Sequence, residues 1–332
     1  MAETASMIEI VKPGLSTTVQ DLGRPGYYHL GIPLSGAMDR ESLIAANLLV
    51  GNDDGAAGLE AVFLGPEIRF TADATVAVTG AEMPPRLDGV EQPGWTALPV
   101  RAGQVLSFGF LKAGARAYIA VSGGIDVPMV LGSRATYALG ALGGHEGRAL
   151  KAGDRLAVAQ GHQAGQGCPV GEGRSLPAAL RRKAEPVLRM LPGLYDHRVT
   201  ADATERFLSD TWKVAPEADR IGYRFRGGHP LDFVPREPPF GAGSDPSNIV
   251  DSCYPYGSIQ VPGGTEPIVL HRDAVSGGGY FMIGTIIAAD MDLIGQLQPH
   301  QPVHFARSDM ARALAARKGN TERLARIRDA LT

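Results

Sequence analysis

The chain has 332 residues, more than one ordinary core holds, so two domains are expected. Its 32 Lys and Arg against 35 Asp and Glu leave a net charge of −3, which offers no footprint for nucleic acid. Only Cys168 and Cys253 occur, which excludes a disulfide framework and a cysteine zinc site, and no run approaches the ~20 apolar residues of a membrane span.

With 43 Gly and 24 Pro, turns and hence strands are favoured over long helices. The first ten residues carry Glu3 and Glu9, with no basic start and no sustained apolar run. No targeting segment is therefore expected, and the cytoplasm is the expected location. A helix is expected over 39–50, opening on acidic residues at the positive end of its dipole and stopping at Gly51. On it, Asn47 lies four residues after Leu43 and three after Ile44, toward the buried face. Alternating apolar segments at 75–79, 104–108, 117–121 and 155–159 read as strands.

Residues 161–173 are Gly/Gln-rich without apolar period, and a charged run, Arg181-Arg182-Lys183, follows them. The expected division is an N-terminal β domain at 7–160, a linker at 161–185 and a C-terminal β domain at 186–306, with helices at 307–332. Strands are expected in the second half at 187–191, 258–261, 268–271 and 303–305. Two short helices, 309–317 and 322–331, are expected to close the chain, the second capped by Thr321. Ala-Val-Ser-Gly-Gly occurs at 120–124 and again at 274–278, an echo that either marks a duplicated barrel or repeats common turn chemistry.

The densest chemical segment is Gln20-Asp21-Leu22-Gly23-Arg24, an amide, a carboxylate and a guanidinium beside glycines. It suits a clamp on a carboxylate, with Arg24 as the fork, or an Asp21–Arg24 ion pair pinning a turn. Asp39 can serve simply to complement the helix dipole, whereas Asn47 on a buried face requires a partner. In the second half, Asp219 to Arg224 sets two arginines and Tyr223 around Gly222, and Gln260 ends a strand. Between Asp273 and Tyr280 the glycines Gly277-Gly278-Gly279 suggest a tight turn or a close backbone approach to a ligand.

Other chemistries find no support. The sequence has no Walker-type phosphate loop, no dinucleotide-binding glycine spacing, no G-x-S-x-G elbow and no biotinyl Met-Lys-Met. Pro302 between His300 and His304 argues against a helical metal face, and no metal site is expected.

Taken together, 17–26, 35–39, Asn47 with Gly51-Asn52, 116–124, 132–136, 219–224, 260–262 and Asp290 with Gln296 strongly resemble the KipA/PxpC family (allophanate hydrolase subunit 2). The resemblance runs from about Ile8 to Phe305. It implies a mainly β fold of two β-barrel-type, cyclophilin-like domains with a few short helices. It also implies an enzyme subunit acting beside a KipI/PxpB-like partner. One version is ATP-dependent 5-oxoprolinase, which opens 5-oxoproline to glutamate with a further PxpA-like subunit. Another is the carboxyltransferase part of a urea-carboxylase-like biotin enzyme, served by a biotin carboxylase and carrier. The third is a non-catalytic regulator of a KipI-like kinase inhibitor.

On this reading no cofactor is expected on the chain alone; the complex uses ATP and, in the carboxyl-transfer version, biotin on a partner. The substrate is a small amide or lactam. Gln20, Asp21 and Arg24 are expected to orient a carboxylate or carboxybiotin oxygen, with Asn47 holding that loop from behind and Asp39 accepting a proton. Tyr223, Arg224, Gln260, Asp273 and Tyr280 complete the pocket. Asp21, Asp39, Asp273 and Tyr280 make up the catalytic set; Gln20, Arg24, Asn47, Tyr223, Arg224 and Gln260 bind substrate. The chain departs from the family at Ser276-Gly277-Gly278-Gly279-Tyr280, where Thr-Thr-Gly-Gly-Tyr is usual, and at Pro299-His300-Gln301, which replaces a Pro-Gly-Asp turn. Its segment 234–252 is longer and richer in Pro and Gly than usual. These departures leave room for a substrate other than 5-oxoproline or urea.

Overall fold

The structure is a computed structural model that describes residues 7–159, 173–182, 185, 187–237 and 239–331. Most of the expected linker, and Cys168, lie outside the described residues. The chain divides into two compact units: one of Met1–Arg24, Ser35–Arg182 and Glu322–Thr332, the other of Pro25–Leu34 and Lys183–Thr321. Two segments thus depart from chain order: Pro25–Leu34 groups with the second half and Glu322–Thr332 with the first.

The first unit holds a 7-stranded and a 5-stranded sheet. The larger runs Ile125–Asp126, Arg155–Val158, Met7–Lys12, Glu67–Phe70, Val105–Phe108, Pro85–Leu87, Val90–Glu91. The smaller runs Ser16–Gln20, Gly58–Val62, Ala113–Val121, Ala74–Glu82, Ala97–Val100. Alternate residues of both sheets (Ile8 and Ile10, Ile68 and Phe70, Val76 and Val78, Ile119 and Val121) fill one core, as a period of two requires. The opposite face of the smaller sheet is buried too: Ala77, Tyr118 and Ala120 pack against helix α1, Arg40–Leu49. Burial on both faces explains why the central strand is an almost unbroken apolar run. Helix α1 is covered nearly all round, which suits its small Ala45 and Ala46.

In the second unit seven strands close a barrel in the order Val187–Pro192, Met282–Ile286, Ser258–Gln260, Ile268–Leu270, Gly222–Arg226, Trp212–Val214, Pro302–Arg307. The last strand pairs parallel with the first, Leu188 opposite Phe305. Helix α2, Ala201–Ser209, is capped by Thr200, whose hydroxyl accepts from the Ala203 amide at 3.2 Å. Its Phe207 stacks on Phe305 with centroids 4.8 Å apart, and Trp212 and Phe225 close around the pair. A short helix α3, Met291–Ile294, precedes the last strand.

Three local expectations are corrected. The chain ends in one 22-residue helix, α4, Met310–Leu331, not two. Thr321 does not cap it; its hydroxyl donates to the Arg317 carbonyl at 3.2 Å inside the helix. Gly319 costs such a helix only about 1 kcal/mol, less than the tertiary contacts return: Asn320 donates to the Ala289 carbonyl, Arg323 forks onto Glu41, and Ile327 and Leu331 are buried. Gly277–Tyr280 is a strand, paired with Asn248–Cys253, rather than a turn. A Cβ at Gly279 would lie 3.0 Å from the Ile249 carbonyl oxygen, so the glycines admit a neighbouring strand. Finally, the two Ala-Val-Ser-Gly-Gly copies are not equivalent. The first ends a strand and turns at Gly123 and Gly124 with positive φ, while the second leads into one. None of the described helices is long and apolar enough to cross a membrane.

Candidate functional site

In the first unit, Ser16–Gln20 delivers the motif to the end of the smaller sheet, where it meets the loops at 35–39 and 133–136. Gln20 is wholly buried and its amide is used on both sides. Nε2 donates to Thr18 Oγ1 at 3.0 Å and to the Thr136 carbonyl at 3.1 Å, and Oε1 accepts from the Gly36 amide at 3.1 Å. Asp21 accepts from the Gly23 amide, the Ser133 hydroxyl and the Arg134 amide at 2.6–2.7 Å. Two of these contacts tie its carboxylate to the 133–134 loop, and the third, from Gly23, closes its own turn. Arg24, also wholly buried, donates Nη1 to Ser35 Oγ at 2.8 Å and Nη2 to the Ala135 carbonyl. Arg24 and Ser35 are the points where the chain leaves and re-enters this unit around Pro25–Leu34, so the guanidinium staples the excursion at its base. Gly36, at φ 86°, permits the contact, since a Cβ there would stand 2.6 Å from the Gly23 nitrogen.

Asp39 is the N-cap of α1: Oδ1 accepts from the Ser42 amide at 3.1 Å and Oδ2 from the Ser42 hydroxyl at 2.6 Å. Asn47 corrects its expected role. Its amide donates to the Asp54 and Ala56 carbonyls and accepts from Asn52, which reaches the Val121 carbonyl. It braces the loop after its own helix, not the Gln20–Arg24 segment.

Beneath the 35–39 loop lies a buried polar group that motif reading missed. Tyr118 stands opposite Glu60 across the strands, and Arg116 shares the same face two residues away. Tyr118 Oη donates to Glu60 Oε2 at 2.8 Å and accepts from the Asp39 amide at 2.7 Å. The Met38 amide donates to the same carboxylate oxygen at 2.9 Å, and Arg116 Nε lies 3.6 Å from Oε1. Burial first, then the Glu60 and Asp39 charges, push the Tyr118 phenol well above its ordinary range, so it stays a neutral donor. The signal was in the sequence: Glu60 and Arg116 are charges inside apolar strands, and such charges need partners.

The second-unit residues sit in separate settings. Asp273, buried, takes a two-point contact from Arg220, Nε to Oδ2 at 2.8 Å and Nη2 to Oδ1 at 3.2 Å. Tyr223 is buried with its ring 6.2 Å from His271. Arg224 follows it on the same strand and therefore faces the other way, 3.5 Å from Glu266. These two neighbours do not line one wall. Tyr254 Oη donates to the Tyr280 carbonyl at 2.8 Å and accepts from the Tyr280 amide at 2.7 Å, while Gln260 bonds Tyr254 as well. Burial, the largest influence, raises the Tyr254 phenol. Tyr280 keeps its own side chain 48% exposed. His271, not anticipated, accepts at Nδ1 from the Arg272 amide, so Nε2 carries the proton toward the Met291 carbonyl at 3.0 Å. Arg272 lays its guanidinium over Tyr256, 4.8 Å from the ring centre. Tyr28, from Pro25–Leu34, donates to the Val275 carbonyl at 3.2 Å, and burial raises its phenol.

Residues 30–307 match the family model described as carboxyltransferase domain, subdomain A and B. The chain is 37% identical over 314 residues to a 5-oxoprolinase subunit of Escherichia coli, covering 94% of each chain. It is 35% identical over 312 residues to urea amidolyase of Saccharomyces cerevisiae, covering 90% of this chain but 16% of the enzyme. The crystal structure of K. lactis urea amidolyase superposes with a TM-score of 0.90 at 31% identity, over 98% of this chain and 20% of that one. The match to the amidolyases is thus confined to a minor part of much longer chains.

Proposed function

The chain belongs to the carboxyltransferase-domain family, subdomain A and B, and on that premise we propose that it is a subunit of an ATP-dependent 5-oxoprolinase-type complex. In this complex it works beside a KipI/PxpB-like subunit, and the ring amide of 5-oxoproline is hydrolysed to glutamate as ATP is hydrolysed. The observation that carries the reading is the 37% identity to a 5-oxoprolinase subunit over 94% of both chains. A second reading, carboxyl transfer to a urea-like amide from biotin on a partner, is favoured by the backbone match to K. lactis urea amidolyase at a TM-score of 0.90.

This chain has neither a phosphate loop nor a biotinyl lysine motif, so ATP and biotin are assigned to partners. Its own contribution is to shape and hold. Gln20, Asp21 and Arg24 fix the loops at 35–36 and 133–136 through buried hydrogen bonds. From the second unit, Tyr280 is assigned the role of touching a ligand or moving a proton through its half-exposed phenol, while Asp273, buried against Arg220, is assigned to hold its loop. The test is turnover by the complex reconstituted with its KipI/PxpB-like and PxpA-like subunits. Glutamate and ADP should appear together only when all subunits, 5-oxoproline and ATP are present. ATP-independent carboxyl transfer from carboxybiotin, with no glutamate formed, would replace this reading with the second.

A further inference from the structure

Residues 231–236, which lead into the segment at 234–252 read as longer than the family pattern, line with Ser244 and Pro246 a cavity of about 430 Å³ in the second unit, within the size range of small-molecule sites. Leu231, Phe233, Val234 and Pro235 give it an apolar side, and Arg236 and Asp232 stand at its polar side. The negative charge of Asp232 is already matched, because Arg206 pairs with it.

Behind this wall lies Arg198, only 8% exposed. Its Nη2 donates to the Pro246 carbonyl at 2.6 Å, and its Nη1 donates to the Asn248 carbonyl at 3.3 Å. Arg236 Nη2 donates to the same Asn248 oxygen at 2.7 Å. Two guanidinium groups thus converge on one carbonyl. Among the described residues, neither has a carboxylate within ion-pair distance. Burial first, and the Arg236 charge second, push the Arg198 guanidinium below its ordinary range. Carbonyl acceptors satisfy N–H groups but leave the net charge, and like charges brought together in a partly desolvated wall are unfavourable until an anion joins them. Asn248 is also the cross-strand partner of Tyr280, so the pair sits at the Tyr280 end of this unit.

We infer that this cavity is a binding site for a small organic acid, its carboxylate held by Arg236 with the buried Arg198 charge adding to the attraction, and its carbon frame lying on Phe233, Val234 and Pro235. A guanidinium fork matches a planar carboxylate in two-point geometry, and the apolar wall has use only for a ligand with a carbon body. The site stands on the cavity and the unbalanced charge, and does not require the ring-opening reaction.

Calorimetric titration of the full chain tests it, with 5-oxo-L-proline as the acid probe, its neutral carboxamide as the uncharged twin, and inorganic phosphate as the anion without a carbon frame. The acid should bind saturably. The carboxamide, and the acid on Arg236→Gln, should each bind at least about tenfold more weakly, about 1.4 kcal/mol, with an unchanged melting temperature in that variant. The carboxamide arm keeps the test open if a variant folds poorly. Absence of saturable heat from both 5-oxo-L-proline and L-glutamate at millimolar concentration overturns the site. So does undiminished binding to Arg236→Gln, which would place the acid elsewhere. Phosphate binding as tightly as the acid would overturn the organic-acid assignment. The titration needs no turnover, so a failed ring-opening assay leaves it intact, and a failed titration leaves the proposed reaction intact.

Discussion

The polar residues around Gln20 and those around Tyr280 solve opposite problems. In the first unit, Gln20, Arg24 and Asn47 are entirely buried; Gln20 and Arg24 reach loops distant in sequence, and Asn47 bonds the backbone of the loop after its own helix. In the second unit, Tyr280 is held by its backbone while its phenol faces outward, and Arg236 and Arg198 share a carbonyl beside a cavity. The first set sets the shape of the surrounding loops; the second is the set we propose for ligand contact. The difference teaches that a dense chemical motif is not by itself a contact surface. Buried polar groups that bond to backbone act through geometry, and their removal is read first in stability.

The largest effect should come from breaking the ion pair below the 35–39 loop. Arg116→Ala leaves Glu60 charged and buried, and such a loss costs about 3–5 kcal/mol, read as a shift of the denaturant midpoint. A shift near zero would mean that the first unit is not organised around this pair. Next, Arg24→Lys removes the fork that joins Ser35 to the Ala135 carbonyl. One buried acceptor then goes without its donor, at about 1–3 kcal/mol, so melting temperature and activity of the complex should fall together. Lost activity at unchanged stability would move Arg24 into direct contact with substrate and erase the contrast between the two regions.

Tyr280→Phe sharpens the contrast from the other side. The Tyr254 contacts go to the Tyr280 backbone, which phenylalanine retains, so stability should stay within about 0.5 kcal/mol. Turnover of the reconstituted complex should drop by at least about tenfold, about 1.4 kcal/mol; unchanged turnover removes the phenol from the mechanism.

The smallest effect belongs to Asp154, outside both sets, and serves as a control. The Arg148 hydrogen bonds, ahead of the Lys151 amide, lower its carboxyl to about 2. A carboxyl lowered on folding adds stability that is complete above its unfolded value of about 3.9 and is lost as the pH falls toward 2. Asp154→Asn should remove that acid-side loss, an effect below about 1 kcal/mol for a pair reached by solvent. A variant that keeps the wild-type pH profile of unfolding between those limits would refute the assignment.

Much of the fold was legible along the chain. Strands expected at 104–108 and 155–159 appear as Val105–Phe108 and Arg155–Val158, because alternation is a local property with a period of two. The helix expected at 39–50 appears as Arg40–Leu49 with Asp39 as its cap, since capping chemistry is also local. The final helix runs through 318–321, where a gap between two helices is expected from the sequence, because contacts such as Arg323 with Glu41 support it beyond Gly319. Tyr223 and Arg224 were grouped by adjacency, where the pleat of a strand sends them to opposite faces.

The sequence alone determined that this is a mainly β chain with one early capped helix, and its ordered motifs carry the family resemblance. Those features depend on neighbours within a few positions. What the motif residues do was decided by tertiary structure. Arg24 meets the Ala135 carbonyl 111 positions away, Gln20 meets Thr136 at 116, and Asp21 meets Ser133 at 112. The same holds for Arg198, which reaches Pro246 and Asn248 across 48 and 50 positions and gains its unbalanced charge only there. A periodic pattern encodes which face of an element is buried, but not which distant backbone will arrive to accept its hydrogen bonds.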